Sequence, residues 1–163
     1  MIKDKIKEDI KKAMQEKDEL KLSVLRMASS AVFNKEKDNR AKLSKAGEEE
    51  SKLDEMSKLT EEEVIEVVSS EVKKRKDSIE QYQKGGRSDL AENEKKELEI
   101  LMEYMPEQMG EDEIRKIVKE KIEELGISSP QETGKLMGVI MPQFKGKTDG
   151  NIVGKIVQEE LKN

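Results

Sequence analysis

Four lysines and a set of glycines near the end of the sequence are its most chemically pointed feature. Between Gly134 and Val153 stand four of the ten glycines, Pro142 and the run Lys145-Gly146-Lys147-Thr148-Asp149-Gly150. Lysine ammoniums on either side of a glycine are compact point charges that suit phosphate oxygens. The Gly-Lys-Thr ending resembles that of a nucleotide-binding P-loop, but the pattern requires a first glycine at position 141 and a preceding strand. Met141 stands there, and no strand pattern leads into it, so nucleotide hydrolysis is excluded. Residues 133–158 hold Lys135, Lys145, Lys147 and Lys155 against one acid, Asp149, inside a chain of net charge −5. The expectation is a local basic surface facing a phosphate backbone. The amides that open the last helix would also favour an anion, although Asp149 is placed to cap them itself.

Gly134 and Gly138 lie one turn apart on a helix, where glycine is unfavourable by up to about 1 kcal/mol against alanine. Their spacing implies close approach by something. A neighbouring or partner helix is one reading; a nucleic-acid backbone lying across a flat face is the other. The chain has no histidine and no cysteine, which removes the usual general base, the thiolate nucleophile and the commonest metal ligands. No catalytic residue, metal site or cofactor is expected, although carboxylates and lysines retain some acid–base capacity. The opening residues lack the apolar run of a signal peptide and nothing approaches eighteen consecutive apolar residues, so the expected location is cytoplasmic, with no membrane partner.

The elements that must position this corner are helical. Charged residues make up 42% of the chain and aromatics 2%, a composition of thin helix-built cores with large solvated faces. Ile2, Ile6, Ile10 and Met14 form a first stripe. Leu20, Val24, Met27 and Ala31, flanked by Leu22, Leu25, Val32 and Phe33, make a wider arc on a second helix, with Arg26 as a structural anchor or a lysine-like surface residue. From 36 to 58 the pattern dissolves into charge, which reads as a mobile excursion with frayed helix at its ends. Thr60-Glu61-Glu62-Glu63 is a capping box opening a helix of about 23 residues that ends at Gly85-Gly86. Lys73-Lys74-Arg75-Lys76 spreads around that helix and reads as solvated surface. Ser88 or Asp89 caps a returning helix that ends near Tyr104-Met105-Pro106. Beyond Gly110 three short helices are legible, the second opened by Ser129-Pro130-Gln131-Glu132 as a capping box and ended near Met141-Pro142, the third begun near Asp149. The chain is therefore expected to be all-α. Residues 1–106 would form an amino-terminal helical hairpin or bundle, and 107–163 a carboxy-terminal three-helix bundle.

Several of these motifs resemble the GatB/YqeY family, specifically its free-standing YqeY-like proteins. They are Lys21-Leu22-Ser23-Val24-Leu25-Arg26-Met27, Lys84-Gly85-Gly86-Arg87-Ser88-Asp89-Leu90, Tyr104-Met105-Pro106-Glu107-Gln108, Gly134-Lys135-Leu136-Met137, Met141-Pro142 and Lys145-Gly146-Lys147-Thr148-Asp149-Gly150 with Ile152-Val153. The charged excursion looks longer than the family's. The resemblance implies two all-helical subdomains, the second similar to the tail domain of the GatB subunit of tRNA-dependent amidotransferase. That tail helps hold tRNA, while amide transfer belongs to a larger portion that nothing here resembles. The label carried by the family, a carbon–nitrogen ligase with glutamine as amido-N-donor, is thus not expected of the chain alone. The resulting expectation is a tRNA-associated binding protein contacting structured RNA through Lys135, Gly138, Lys145, Gly146, Lys147 and Lys155. A helical protein-interaction module, or an accessory to an amidotransferase or aminoacyl-tRNA synthetase active only in complex, are the alternatives.

Overall fold

The computed structural model describes residues 1–127 and 129–162. Among these there are eight α-helices and no strand: α1 (Ile2–Glu16), α2 (Glu19–Lys45), α3 (Glu50–Met56), α4 (Glu61–Lys84), α5 (Ser88–Met102), α6 (Glu111–Leu125), α7 (Thr133–Phe144) and α8 (Gly150–Glu160), with a 3₁₀ turn at Pro130–Glu132. The chain is all-α, and it divides into two compact units, Met1–Met105 and Pro106–Asn163.

In the first unit the most extensive packing is between α4 and α5, a hairpin across the tight Gly85-Gly86 link, while α1 packs on α2 and α4. The Thr60 hydroxyl accepts from the Glu63 amide, and the Glu63 carboxylate accepts from the Thr60 amide, so the capping box is complete. The core is aliphatic: Ile6, Val24, Leu25, Ala28, Val32, Val64, Val68 and Leu101 are all buried. Tyr104 closes its lower end, donating its hydroxyl to Asp9 Oδ2 at 2.7 Å, with the Lys5 ammonium 4.8 Å from its ring centre.

Several expectations are corrected here. The stretch from 36 to 58 is not an excursion: α2 runs on to Lys45 and α3 follows after a short break. Leu53 and Leu59 are buried, and Arg40 Nε binds Asp54 at 2.7 Å, so charge-dense helix is fixed by a few apolar anchors and ion pairs. The apolar arc on α2 is also narrower than its composition. Val24, Leu25, Ala28 and Val32 face inward, whereas Leu20, Met27 and Phe33 are exposed. Arg26 is exposed and reaches only the Met14 sulfur at 3.9 Å. Helix α5 is opened by Arg87 without a side-chain cap; the guanidinium instead grips Asp89. Within 73–76 the residues part as helical geometry requires. Lys73, Lys74 and Lys76 are exposed, while Arg75 turns toward α5, 2.9 Å from Glu97 and 3.6 Å from Glu94.

The second unit is a small bundle in which α8 packs on α6 and α7. Its core joins Ile114 and Val118 of α6, Leu136, Ile140 and Phe144 of α7, and Val153, Ile156 and Val157 of α8. Helix α7 does not stop at Met141-Pro142. It carries Pro142 on its exposed side and continues to Phe144, which is 1% exposed. A proline removes one backbone donor, and here burial of the phenyl ring two residues later outweighs that loss. Before α7, Ser129 caps the Gln131 amide alone, giving a 3₁₀ turn and not a reciprocal box.

Candidate nucleic-acid interface

The corner is built around the link between α7 and α8. Phe144 anchors the end of α7, and the chain then reverses through Gly146, whose φ of 71° lies in the left-handed region that glycine alone enters without strain. The turn is pinned from the segment that opens this unit. Gln108 Nε2 donates to the carbonyls of Pro106 and Gly146, each at 2.8 Å, and the Met109 amide donates to the Lys147 carbonyl at 2.8 Å. The motifs around Pro106-Glu107-Gln108 and Lys145-Gly146-Lys147 are therefore two halves of one structural joint. Gln108 and Phe144 were not among the expected site residues. The polar Gln108 after a proline in a helix-free gap was the available signal for the first; nothing in composition distinguished Phe144 from the other apolar residues near it.

The expected contact residues fall into distinct positions. Gly146 is buried, so it serves the turn and offers no surface. Lys145 is exposed on one side of it and Lys147 half-buried on the other. On α7, Lys135, Gly138, Val139 and Pro142 are all exposed and recur at three- and four-residue spacing, which places them on one face. Leu136, Ile140 and Phe144 occupy the opposite face. Lys135 and Lys145 are separated by roughly 15 Å along the helix axis at 1.5 Å per residue, so the lysines do not converge on one anion and would meet separate phosphates. Lys155 is exposed on α8 and sits 3.9 Å from Glu159. That pairing is loose because Glu159 is engaged by Arg115 at 2.7 Å, and the guanidinium holds its carboxyl below the usual range. Among the described residues Lys135 and Lys147 form no ion pair.

The close approach expected at Gly134 and Gly138 occurs elsewhere. A Cβ placed at either glycine would meet nothing within 4 Å, and the same holds for Gly154 on α8. Among the described residues of this unit nothing comes within 4 Å of either position, so packing inside the unit does not explain the pair. The tight contact is at Gly150, where an added Cβ would stand 3.3 Å from Met141 Cε. Glycine there lets the start of α8 come up against α7. Asp149 accepts from the Asn151 amide at 2.8 Å and so caps this helix, as its position in the sequence implied. What remains is exposed surface with small residues and lysines on α7 and α8, and two apolar side chains, Val139 on α7 and Ile152 on α8, 43% and 36% exposed. Such a surface supplies charge and close approach but no base-stacking ring.

Comparison with known proteins follows the same outline. A family model described as Yqey-like protein matches residues 3–161. The chain is 35% identical over 127 residues to altered inheritance of mitochondria protein 41, mitochondrial, of Lachancea thermotolerans, covering 77% of this chain and 60% of the relative. The protein of that name from Pyrenophora tritici-repentis is 28% identical over 158 residues, covering 95% and 78%. That of Saccharomyces cerevisiae strain YJM789 is 37% identical over 100 residues, covering 61% and 46%. The chain thus spans less than two thirds of the length of the first and last of these relatives. Their names are those of mitochondrial proteins, a finding that overturns the expected cytoplasmic location.

Proposed function

The chain belongs to the YqeY-like protein family, and on that premise we propose that it is a helical binding protein whose carboxy-terminal unit holds structured RNA, tRNA being the first candidate, by its backbone. The observation that carries this reading is the open face of α7. Gly134 and Gly138 have no neighbour, and Lys135 on the same helix has no ion pair among the described residues. An exposed helix that keeps two glycines at a stability cost, beside an uncommitted cation, suits a ligand that must come close to backbone and carries negative charge. Helical RNA presents phosphates and 2′-hydroxyls over a broad shallow groove, and a surface without rings matches recognition by shape. Lys135, Lys145, Lys147 and Lys155 are the proposed contacts, with Gly138 allowing the approach. Any part in glutamine-dependent amide transfer would be that of an accessory holding tRNA for a catalytic partner.

Exposed Val139 and Ile152 favour one second reading, a partner helix seated on the glycine face, with small residues admitting close packing. Binding of folded tRNA followed by fluorescence anisotropy across a salt series separates the two. Three or four lysine contacts predict a log-affinity slope against log salt of roughly −2 to −4, on the counterion-release coefficient for duplexes. Charge reversal of Lys135 together with Lys147 should abolish binding with helicity intact, and Gly138→Leu should weaken it by bulk. Wild-type protein without salt-sensitive tRNA binding rejects the RNA reading in favour of the partner helix. Undiminished binding by both variants rejects this site.

A further inference from the structure

The first unit carries a second basic surface, with hollows beside an exposed ring, that the RNA reading does not use. Phe33 on α2 is 59% exposed, although its neighbour Val32 and Ile6 of α1 are buried. The ring stands between two hollows. One, of 170 Å³, opens between α1 and α2 over Ile6 and Val32, with Lys3, Lys7, Ser29 and Glu36 around it. The other, of 230 Å³, lies toward the end of α3 and is rimmed by Lys37, Arg40, Asp54, Ser57 and Lys58. Together they are lined by five cations against two carboxylates, in a chain whose net charge is −5.

Both carboxylates are already engaged. Glu36 accepts from Lys3 Nζ and from the Leu59 amide; burial pushes its carboxyl up, but these donors more than offset that and hold it below the usual range. Asp54 accepts from Arg40. Lys3 and Arg40 are consumed in those pairs, while Lys7, Lys37 and Lys58 form no ion pair among the described residues. Lys37 instead rests its ammonium 5.7 Å from the centre of the Phe33 ring.

We propose that this surface docks an acidic segment of a partner protein, which inserts one large apolar side chain against Ile6, Val32 and Phe33 and sets carboxylates on Lys7, Lys37 and Lys58. The charge balance selects an anionic partner, and the hollow selects an apolar anchor of aliphatic or aromatic size. A nucleic acid fits less well. A base inserted over Ile6 and Val32 would leave most of its polar edges unpaired, and the face of Phe33 under Lys37 is closed to stacking.

The experiment is panning of short random displayed peptides on the full-length protein, followed by anisotropy of the enriched peptides on wild type and variants. The expected result is enrichment of acidic sequences carrying Leu, Phe or Trp. Phe33→Ala, and separately Lys7→Glu with Lys37→Glu, should each lower their affinity on the order of tenfold, with melting curves close to wild type. The proposal is overturned if the enriched peptides show no acidic and apolar bias, or if both variants bind them as wild type does. It is equally overturned if oligouridylate binds wild type and loses that binding in Phe33→Ala, since the surface would then be one for nucleic acid.

Discussion

The two phenylalanines of this chain have opposite fates. Phe144 ends α7 with 1% of its surface exposed; Phe33 stands on α2 with 59% exposed. The surfaces near them differ in the same sense. Around α7 and α8 the ring is inside and the exterior carries open glycines and lysines, whereas on α2 the ring is outside, between two hollows. Open glycines at one surface and a hollow at the other, more than charge, separate what the two can recognise: a glycine face can meet a backbone, and a hollow beside a ring can take a side chain. A residue type that ordinarily means core thus marks structure at one position and a surface for binding at the other.

The largest expected effect tests that contrast directly. Phe144→Ala removes a fully enclosed ring from a unit whose other buried core residues are aliphatic and should destabilise it by about 3–5 kcal/mol, read as lost amide protection across α6, α7 and α8. Since Phe144 also sets the turn that Gln108 pins, tRNA binding should vanish with it. Phe33→Ala should change stability by no more than about 1 kcal/mol, the scale of an exposed cation–π contact and partial burial. Similar losses from the two substitutions would mean that Phe33 is a core residue and that the contrast is false.

A smaller effect is expected at the aromatic residue that closes the first unit in place of Phe33. Tyr104 is 3% exposed and its hydroxyl donates to Asp9. That hydrogen bond, opposed by burial and aided by Lys12 and Lys21, holds the Asp9 carboxyl below its ordinary 3.8. A carboxylate lowered in the folded state stabilises the fold above about 3.8 and loses that contribution as pH falls through the lower folded value. Burial and the Asp9 charge push the phenol above its ordinary 10.0. The unfolded chain therefore gains by ionising as pH rises past 10.0, and stability falls there too. Tyr104→Phe should cost about 1–2 kcal/mol near neutrality and flatten both limbs of the stability–pH curve measured by urea denaturation. Unchanged limbs would show that the Tyr104–Asp9 bond does not link stability to pH.

The sequence made the helices legible because their apolar positions recur at helical spacing and several starts carry side-chain caps, as at Thr60 and Asp149. It misread the stretch 36–58 because charge density hides two anchors, Leu53 and Leu59, whose burial depends on α2 extending far enough to meet them. It misread Phe33 for a related reason: an arc of apolar residues does not reveal how much of it neighbouring helices cover. The end of α7 was misplaced because Pro142 signals a stop locally, while the burial of Phe144 that overrides it is tertiary. At the corner, the cap at Asp149 was legible from its place before the last helix. The role of Gly146 as a buried turn and the bracing by Gln108 were not, since both depend on two segments well separated in sequence meeting.

The smallest effect has the opposite sign and concerns the open side of α7, whose other side carries Phe144. A Cβ at Gly138 would meet nothing within 4 Å, and Gly138 sits on an exposed helical face. Gly138→Ala should therefore stabilise the second unit by about 0.5–1 kcal/mol, through reduced freedom of the unfolded chain and better helix propensity. The same substitution brings only a methyl group to the surface, so tRNA affinity should fall far less than with Gly138→Leu. Amide exchange along α7 measures the first and anisotropy the second. A loss of stability would mean that the face is packed in solution, by a partner or a second copy, and the open face on which the RNA reading stands would not be free. A gain in stability accompanied by graded loss of tRNA affinity from Ala to Leu would instead show that glycine is kept there for what approaches from outside, against the preference of the helix itself.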